Sequence, residues 1–389
     1  MMPCMKNHYL IGLAKPFFGV LGLQVMVSAV SGLIPFILAY GYESPVVSEI
    51  LFVYSAAILS YTVLSFGVPE MIHVNRAAGS SLKDFDRVIF GSAGLSALFL
   101  ILATIFGTHL YIFLAFSFSY LITESVSRIY NQDGRVVLGQ LLLSVLPVSF
   151  WLLSLSRPEK PLINLLSVTL GIWLLSFSVF LFKRMLTNET EKSSETLPSA
   201  PLKIYFTRLI SMSFDHYPVL VLSGLGLHHF SVAFGLVSRV SMVFSLVLQS
   251  AVAVLLRTKL AGEREFRTLA FRYKYYCIFA LSILFTALGY ALDMMTDALQ
   301  FINFLTIFLF LFIRFSTLSL NLTFTWNIEL AYRLDYKILF VIVCFLLAAV
   351  FTMYAFTASA PSLVFALVCC YIASCDYAAE RVFRVGTSP

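Results

Sequence analysis

The chain has 389 residues, a formal net charge of +6, 60% hydrophobic residues and only 12% charged residues. Soluble domains carry about 25% charged residues, and a chain this apolar has too few polar groups to cover a water-facing surface. The composition therefore excludes a soluble globular protein and predicts an all-α polytopic membrane protein.

Apolar runs of about 20 residues, the length that crosses a bilayer, recur along the whole chain. In the first half they cover Phe17–Tyr40, Val46–Val68, Val88–Gly107, Leu110–Ser127, Val136–Leu155 and Leu162–Phe182. In the second half they cover Ile204–Leu225, Phe230–Leu256, Tyr276–Leu292, Leu299–Leu320, Lys337–Thr357 and Ser362–Tyr377. The pattern predicts about 12 transmembrane helices. They form a six-helix bundle over residues 1–182, a polar cytoplasmic linker over 183–203 and a second six-helix bundle over 204–389.

The distribution of basic residues predicts the orientation of these helices. When the N-terminus is placed in the cytoplasm, nearly all of the 26 Lys and Arg residues fall in cytoplasmic segments. Only Arg157 and Lys160 lie in outer loops; three arginines lie within spans. Because cytoplasmic loops of membrane proteins are enriched in Lys and Arg, we predict that both termini are cytoplasmic.

The two halves also resemble each other. Each has a basic loop after its second span, and each has an aspartate two residues before a basic residue ahead of its fifth span, namely Asp133 with Arg135 and Asp335 with Lys337. An even number of spans per half gives both halves the same orientation, which predicts a parallel repeat about an axis along the membrane normal. Chance similarity between basic loops is the alternative.

Charged residues inside the spans are the candidates for a substrate-binding lumen. Arg239 lies near the middle of the eighth span, Arg314 within the tenth, and Arg208 near the cytoplasmic start of the seventh. Each would cost roughly 2.5–3.5 kcal/mol facing lipid, so we expect them to line a polar interior. Asp215 follows Arg208 by two helical turns on the same face. The alternatives are that Arg208 reaches the interface along its aliphatic stem and that Asp215 is a structural ion-pair partner.

The remaining motifs indicate a helix-end ion pair and no catalytic, nucleotide-binding or metal-binding site. Glu124 and Arg128 are spaced i,i+4 and are predicted to form an ion pair at the cytoplasmic end of the fourth span. No GxxxxGK(S/T) phosphate loop and no HExxH, GxSxG or GxGxxG motif stands in a suitable context. The six cysteines have no CxxC or zinc spacing. We therefore predict no cofactor, no metal and no catalytic residue.

Several stretches together resemble a known family. They are FGVPEMIHVNRA after the second span, SRIYNQDGRVVLGQ at the fifth, and FDHYPVLVLSGLGLHHFSVAFGLVSRVSMVFSLVLQSAVAVLLRTKLA across the seventh and eighth. With the predicted span pattern, the chain resembles the Wzx-type polysaccharide flippases of the superfamily that contains the multidrug (MATE), oligosaccharidyl-lipid and polysaccharide exporters.

The resemblance implies a function. It implies two bundles around a central cavity that move an undecaprenyl-pyrophosphate-linked oligosaccharide, an O-antigen or capsule repeat unit, across the bacterial inner membrane. Arg208, Arg239 and Arg314 would fit the cationic lumen of that family. The implied partners are the lipid-linked oligosaccharide, membrane lipids, a polysaccharide polymerase and chain-length proteins, with no nucleic acid.

Two other functions stay open. A cation or drug antiporter of the same fold favours buried carboxylates in the first half, and spans one, three, five and six have none in their middle. A membrane-embedded polysaccharide-assembly enzyme usually needs a large outer loop or a soluble domain, whereas the outer connections predicted here are short.

Overall fold

The computed structural model describes most of the first half of the chain and parts of the second. The described residues are 19, 22–23, 26–27, 30–77, 82–186, 205, 209, 212, 216, 219–220, 222–236, 238–239, 276, 279–284, 286–288, 290–291, 308 and 311–312. Across these residues the backbone is helical, with short turns and no strand. The predicted spans ten to twelve fall mainly outside this part of the chain.

Seven helices follow one another among the described residues from 30 to 186. They are α1 Val30–Gly41, α2 Ser44–Leu64, α3 Val68–Ala77, α4 Lys83–Phe106, α5 His109–Gln132, α6 Val136–Ser156 and α7 Pro161–Leu186. In the described residues, five of these, α2 and α4 to α7, are long and apolar enough to cross a membrane. Two short helical pieces of the second half flank a turn at residues 225–227, and a further short apolar helix covers Phe279–Leu288.

Backbone chemistry explains where these helices stop. Gly107 ends α4 in the left-handed conformation (φ 64°) and donates its N–H to the Ala103 carbonyl at 2.9 Å, a common glycine cap. Gly134 (φ 92°) ends α5, and the next residue, Arg135, donates back to the Tyr130 carbonyl at 2.9 Å. Pro161 begins α7, where its missing N–H leaves no bond unmade.

The structure ends the second predicted span at Leu64, four residues before the expected end at Val68. Phe66 (φ 45°) and Gly67 (φ 73°) are both left-handed, so the backbone ladder of α2 breaks before Val68. Residues expected in a basic loop then form α3, whose first turn accommodates Pro69. A break at this point is costly for Phe66, since only glycine adopts that conformation without strain.

The long helices also extend beyond their apolar runs. At about 1.5 Å per residue, α4, α5 and α7 are roughly 36–39 Å long, which exceeds a hydrocarbon core of about 30 Å. The surplus turns carry the charged ends, for example Lys83 at the start of α4 and Lys183 near the end of α7. Helix α7 thus runs four residues past the predicted end of the sixth span.

Hydropathy and burial run in opposite order across the five candidate spans. Helix α5 is the least apolar and the most buried, while α4 is the most apolar and the least buried, with α2, α6 and α7 between them in strict order. In a water-soluble protein the most apolar helix would be the most buried. The reversed order is expected when the outer surface faces lipid, because lipid accepts apolar side chains without cost.

Two compact units contain these elements. The first comprises Met1–Leu38, Val53–Pro201 and Leu246–Val254, and the second comprises Ala39–Phe52, Leu202–Ser245 and Leu255–Pro389. Within the first unit α5 is central and packs against α3, α4, α6 and α7. The start of α2 belongs to the second unit and the rest to the first. The predicted bundle and linker boundaries stay a prediction.

Candidate functional site

Of the four predicted lumen residues, the structure describes Arg239. This arginine lies in helical backbone and is 4% exposed, so its guanidinium group does not face the surrounding lipid. His216, which neighbours the predicted Asp215, is 7% exposed. Arg208, Asp215 and Arg314 lie outside the described residues, and their proximity to Arg239 stays a prediction.

The first unit holds a buried carboxylate that the sequence placed at a helix end. Helix α5 continues to Gln132, past Arg128, so Glu124 lies inside the helix and its side chain is 3% exposed. Arg128 donates from Nη2 to Glu124 Oε1 at 2.9 Å, which confirms the predicted pair. The Tyr61 hydroxyl of α2 donates to the other carboxylate oxygen. Buried carboxylates need partners of this kind, because an unpaired buried charge costs several kcal/mol.

The sequence around Glu124 contains a pattern that indicates burial, although a search for apolar runs alone does not detect it. From Phe116 to Ser127, α5 alternates small hydroxyl residues with large apolar ones, and nearly every position is buried. A helix buried on all sides tolerates such residues when each hydroxyl finds an acceptor. The tyrosine partner could not be found from sequence, since Tyr61 is 63 residues away on another helix.

Hydroxyl groups join α5 to the helices on either side. Ser119 and Ser96 of α4 share a hydrogen bond at 2.6 Å, and Thr123 and Ser176 of α7 share one at 2.8 Å. On the α6 side the backbones approach closely at Gly139, where an added Cβ would lie 2.8 Å from the Ser127 carbonyl oxygen. These contacts make the interior of the first unit tightly packed and polar around Glu124.

A second charged group lies where several helices end. Asp133, just after α5, accepts from Arg76 Nε of α3 at 3.0 Å and also from Lys183 of α7. The Lys183 ammonium lies 4.3 Å from the centre of the Tyr130 ring. At the next residue, Arg184 Nε is 3.2 Å from the Asp86 carboxylate of α4. The ends of α3, α5 and α7 and the start of α4 therefore lie together, as the alternating span order requires.

Within the second unit, the start of α2 lies against the short helical pieces on either side of residues 225–227. The Ser44 hydroxyl at the start of α2 is 2.9 Å from His229 Nδ1, and Ser48 Oγ donates to Ser223 Oγ at 3.0 Å. The turn at residues 225–227, predicted to lie between spans seven and eight, thus lies at the same end as the start of α2. No group of three His, Cys, Asp or Glu side chains that could hold a metal occurs among the residues described in either unit.

Comparison with known proteins identifies the fold. No protein-family model matches the chain, and no curated protein sequence matches it. Among solved structures, the chain is similar to the MATE multidrug transporter DinF-BH, with a TM-score of 0.60 and 15% sequence identity. The similarity covers 99% of this chain and 96% of that one. The chain has the fold of a MATE transporter. At this identity the likeness establishes the fold alone.

This MATE fold agrees with the helical architecture and with the five candidate spans of the described part. In its first unit, the buried polar residues surround Glu124, and in its second unit Arg239 is buried. Chemically, the first group can hold a carboxylate in a fixed ionised pair. The second provides a guanidinium whose planar fork of donors fits phosphate or carboxylate.

Proposed function

We propose that this chain is a flippase that moves an undecaprenyl-pyrophosphate-linked oligosaccharide across the bacterial inner membrane. Its 12 or so helices, in two bundles with both termini in the cytoplasm, would open alternately to the two sides of the membrane. The single observation that carries the proposal is the buried Arg239, 4% exposed in a chain with the fold of a transporter.

The chemistry of the substrate fits this residue. A pyrophosphate carries several anionic oxygens, and an arginine fork binds two of them at once. Arg208 and Arg314 would extend the same cationic path, and Asp215 would balance part of its charge. The undecaprenyl chain would stay in the bilayer while the head group passes through the cavity, so transport requires neither a cofactor nor a bond-making step.

The proposal is tested by replacing Arg239. Each variant is expressed in a strain from which the chromosomal copy of this gene has been deleted. Arg239→Ala should abolish export of surface polysaccharide while the protein stays in the membrane at the normal level. Arg239→Lys keeps the charge but loses the fork, so it should restore only part of the export. Normal surface polysaccharide in the alanine variant, at equal protein level, would remove the proposed role of this residue.

A cation or drug antiporter is the second candidate, and a specific observation favours it. Glu124 is a buried carboxylate in the fourth span, one of the first-half positions that an antiporter would use. Its two partners, Arg128 and Tyr61, already occupy both carboxylate oxygens, which makes it a poor site for an organic cation. We therefore rank this function below the flippase.

Dye transport by the purified protein distinguishes the two candidates. If the chain is an antiporter, liposomes containing it will extrude a fluorescent organic cation when a proton or sodium gradient is imposed, and Glu124→Gln will stop this efflux. If it is the proposed flippase, the same liposomes will show no gradient-driven dye efflux above protein-free liposomes. Instead they will expose a fluorescent lipid-linked sugar to an added periplasmic-side reagent.

A further inference from the structure

One face of α4 is left uncovered by the rest of the chain and changes from basic to apolar along its length. Lys83, the first residue of the helix, and Arg87 are spaced i,i+4 and are both exposed, so they share this face. Phe90, Leu95 and Leu98 continue it and are 44%, 41% and 49% exposed. Helix α4 is also the least buried of the five candidate spans. Its outer face is therefore available to a molecule with a charged end and an apolar body.

The two basic residues at the start of this face are not neutralised by the described chain. Nearby carboxylates are bound by other cations: Asp133 by one basic residue of α3 and one of α7, and Asp86 by Arg184 Nε at 3.2 Å. Lys83 and Arg87 form no side-chain hydrogen bond or ion pair with any residue that the structure describes. Like charges at this spacing destabilise a helix, and an anion held between them removes the repulsion.

The end of α7 adds a third cation and an aromatic wall beside this face. Arg184 binds the first turn of α4 through Nε, its side chain is 28% exposed, and its terminal nitrogens have no partner in the described part of the chain. Further along, the Phe90 ring meets the Phe177 ring of α7 edge-on at 5.6 Å. Trp173 of α7 donates from Nε1 to the Ala93 carbonyl at 3.1 Å. These contacts hold α4 and α7 together alongside the basic residues.

Two glycines open a shallow groove in the apolar part of the same face. Gly91 and Gly94 are exposed, and a Cβ added at either would have no atom within 4 Å. Small residues at a lipid-facing surface accommodate either an acyl chain or a second helix. Charge favours the acyl chain, because two copies paired about an axis along the membrane normal would bring both sets of Lys83 and Arg87 together, where they repel.

We propose that this face of α4 binds an anionic phospholipid of the cytoplasmic leaflet. The phosphate group lies against Lys83, Arg87 and Arg184, whose guanidinium forks suit its oxygens. One acyl chain lies over Gly91 and Gly94. The distribution of basic residues assigns this end of α4 to the cytoplasm, where anionic lipids attract basic residues that lie next to the membrane. The site goes beyond the proposed function, since it does not depend on which substrate the chain transports.

Quenching of Trp173 by brominated lipid measures binding next to this face. The chain has three tryptophans, so Trp151→Phe with Trp326→Phe leaves Trp173 as the reporter. The full-length protein is reconstituted in phosphatidylcholine containing equal fractions of either brominated phosphatidylglycerol or brominated phosphatidylcholine. One surface cation strengthens binding to an anionic leaflet roughly fivefold, so we expect a preference for phosphatidylglycerol of about fivefold to thirtyfold. Equal quenching by the two lipids would mean unselective lipid contact and would overturn the proposal.

A matched pair of charge variants assigns the preference to α4. Lys83→Gln with Arg87→Gln should bring the ratio of quenching by the two lipids close to one. Arg157→Gln with Lys160→Gln removes the same charge from two exposed positions at the other end of the first unit, and this control should keep the preference of the parent. An unchanged preference in the α4 variant, or an equal loss in both variants, contradicts the proposed site.

Two further measurements use the protein with its tryptophans intact. Added phosphatidylglycerol, compared with phosphatidylcholine, should raise the thermal unfolding midpoint of the parent in mild detergent, because a ligand stabilises the state that binds it. The α4 charge variant should unfold at the parent midpoint in phosphatidylcholine and gain nothing from phosphatidylglycerol, and an equal gain would refute the site.

Cross-linking tests whether a second copy covers the same face. Gly91→Cys, in a chain whose six native cysteines are replaced by alanine, should stay monomeric when membranes are treated with oxidant, because lipid separates the α4 helices of neighbouring copies. Efficient formation of a disulfide-linked dimer would show that a second copy occupies this face in place of the phospholipid.

Discussion

Removing the buried carboxylate of α5 should destabilise the first unit in a way that depends on Tyr61. Glu124 is 3% exposed and accepts from both the Tyr61 hydroxyl and Arg128. Glu124→Ala leaves both donors without their acceptor, and breaking a buried pair by removing one member costs about 3–5 kcal/mol. Arg128 is 30% exposed and can turn toward water, so we expect a value near the lower end.

Conservative changes at the same place should cost less and should be coupled. Glu124→Gln keeps an acceptor for the tyrosine but loses the charge-assisted bond to Arg128, a loss of about 1.5–3 kcal/mol. Tyr61→Phe leaves one buried carboxylate oxygen without a donor, at about 1–3 kcal/mol. Because the two residues touch, the double variant should cost less than the sum of the single ones, by at least about 0.5 kcal/mol.

The assay is equilibrium unfolding of the purified protein in mixed micelles of a mild detergent and SDS. Tyr40→Phe, which removes a hydroxyl from a residue 75% exposed, is the matched control and should leave the free energy of unfolding unchanged. Additive effects of Tyr61→Phe and Glu124→Gln, or a Glu124→Ala variant as stable as the parent, would refute the reasoning that this carboxylate is held by both donors.

Two further substitutions test the packing and the charged helix ends of the first unit. Gly139→Ala places a Cβ 2.8 Å from the Ser127 carbonyl oxygen and should destabilise by about 1–3 kcal/mol through overpacking. Gly94→Ala places its new Cβ with no atom within 4 Å, so this change should instead stabilise α4 by about 0.5–1 kcal/mol. The same unfolding assay measures both variants, and equal effects of the two changes would contradict the prediction. Asp133→Asn removes the negative charge that pairs with both Lys183 of α7 and Arg76 of α3, so protease cleavage at the end of α7 should become faster. Unchanged cleavage would show that these ion pairs do not hold the end of α7.

Much of the helical layout followed from the apolar runs, because a bilayer requires about 20 such residues for each crossing. The runs from Val88, Leu110, Val136 and Leu162 each correspond to one observed helix, and the turn at Gly107 lies where the third run ends. The break at Phe66 was missed because a non-glycine residue in a left-handed conformation leaves no trace in hydropathy. The helix ends beyond the apolar runs were missed because hydropathy marks only the part of a helix inside the hydrocarbon. Charged residues can continue the same helix outside it.

The candidate site was predicted less completely than the fold. The position of Arg239 inside a span predicted a guanidinium that lines a polar lumen. The structure shows that this residue is 4% exposed, and the lumen itself stays a prediction. The pairing of Glu124 with Arg128 was also predicted, because i,i+4 neighbours share a helix face. The burial of Glu124 was not predicted. A glutamate four positions before an arginine near the end of an apolar run gives the same sequence pattern whether the pair is exposed or buried.

Local composition by itself determined that this protein belongs in a bilayer and, for the described first half, where the spans lie in the sequence. That the arginines within spans avoid lipid agrees with the burial of Arg239 and stays a prediction for Arg208 and Arg314. Only the tertiary structure decided which polar groups meet, such as Tyr61 with Glu124 and Ser48 with Ser223, because these pairs join residues 63 and 175 positions apart. The physical reason is that lipid rewards every apolar helix equally, so hydropathy selects the helices but not their neighbours. Hydrogen bonds and close glycine contacts select the neighbours, and they exist only once the helices have packed.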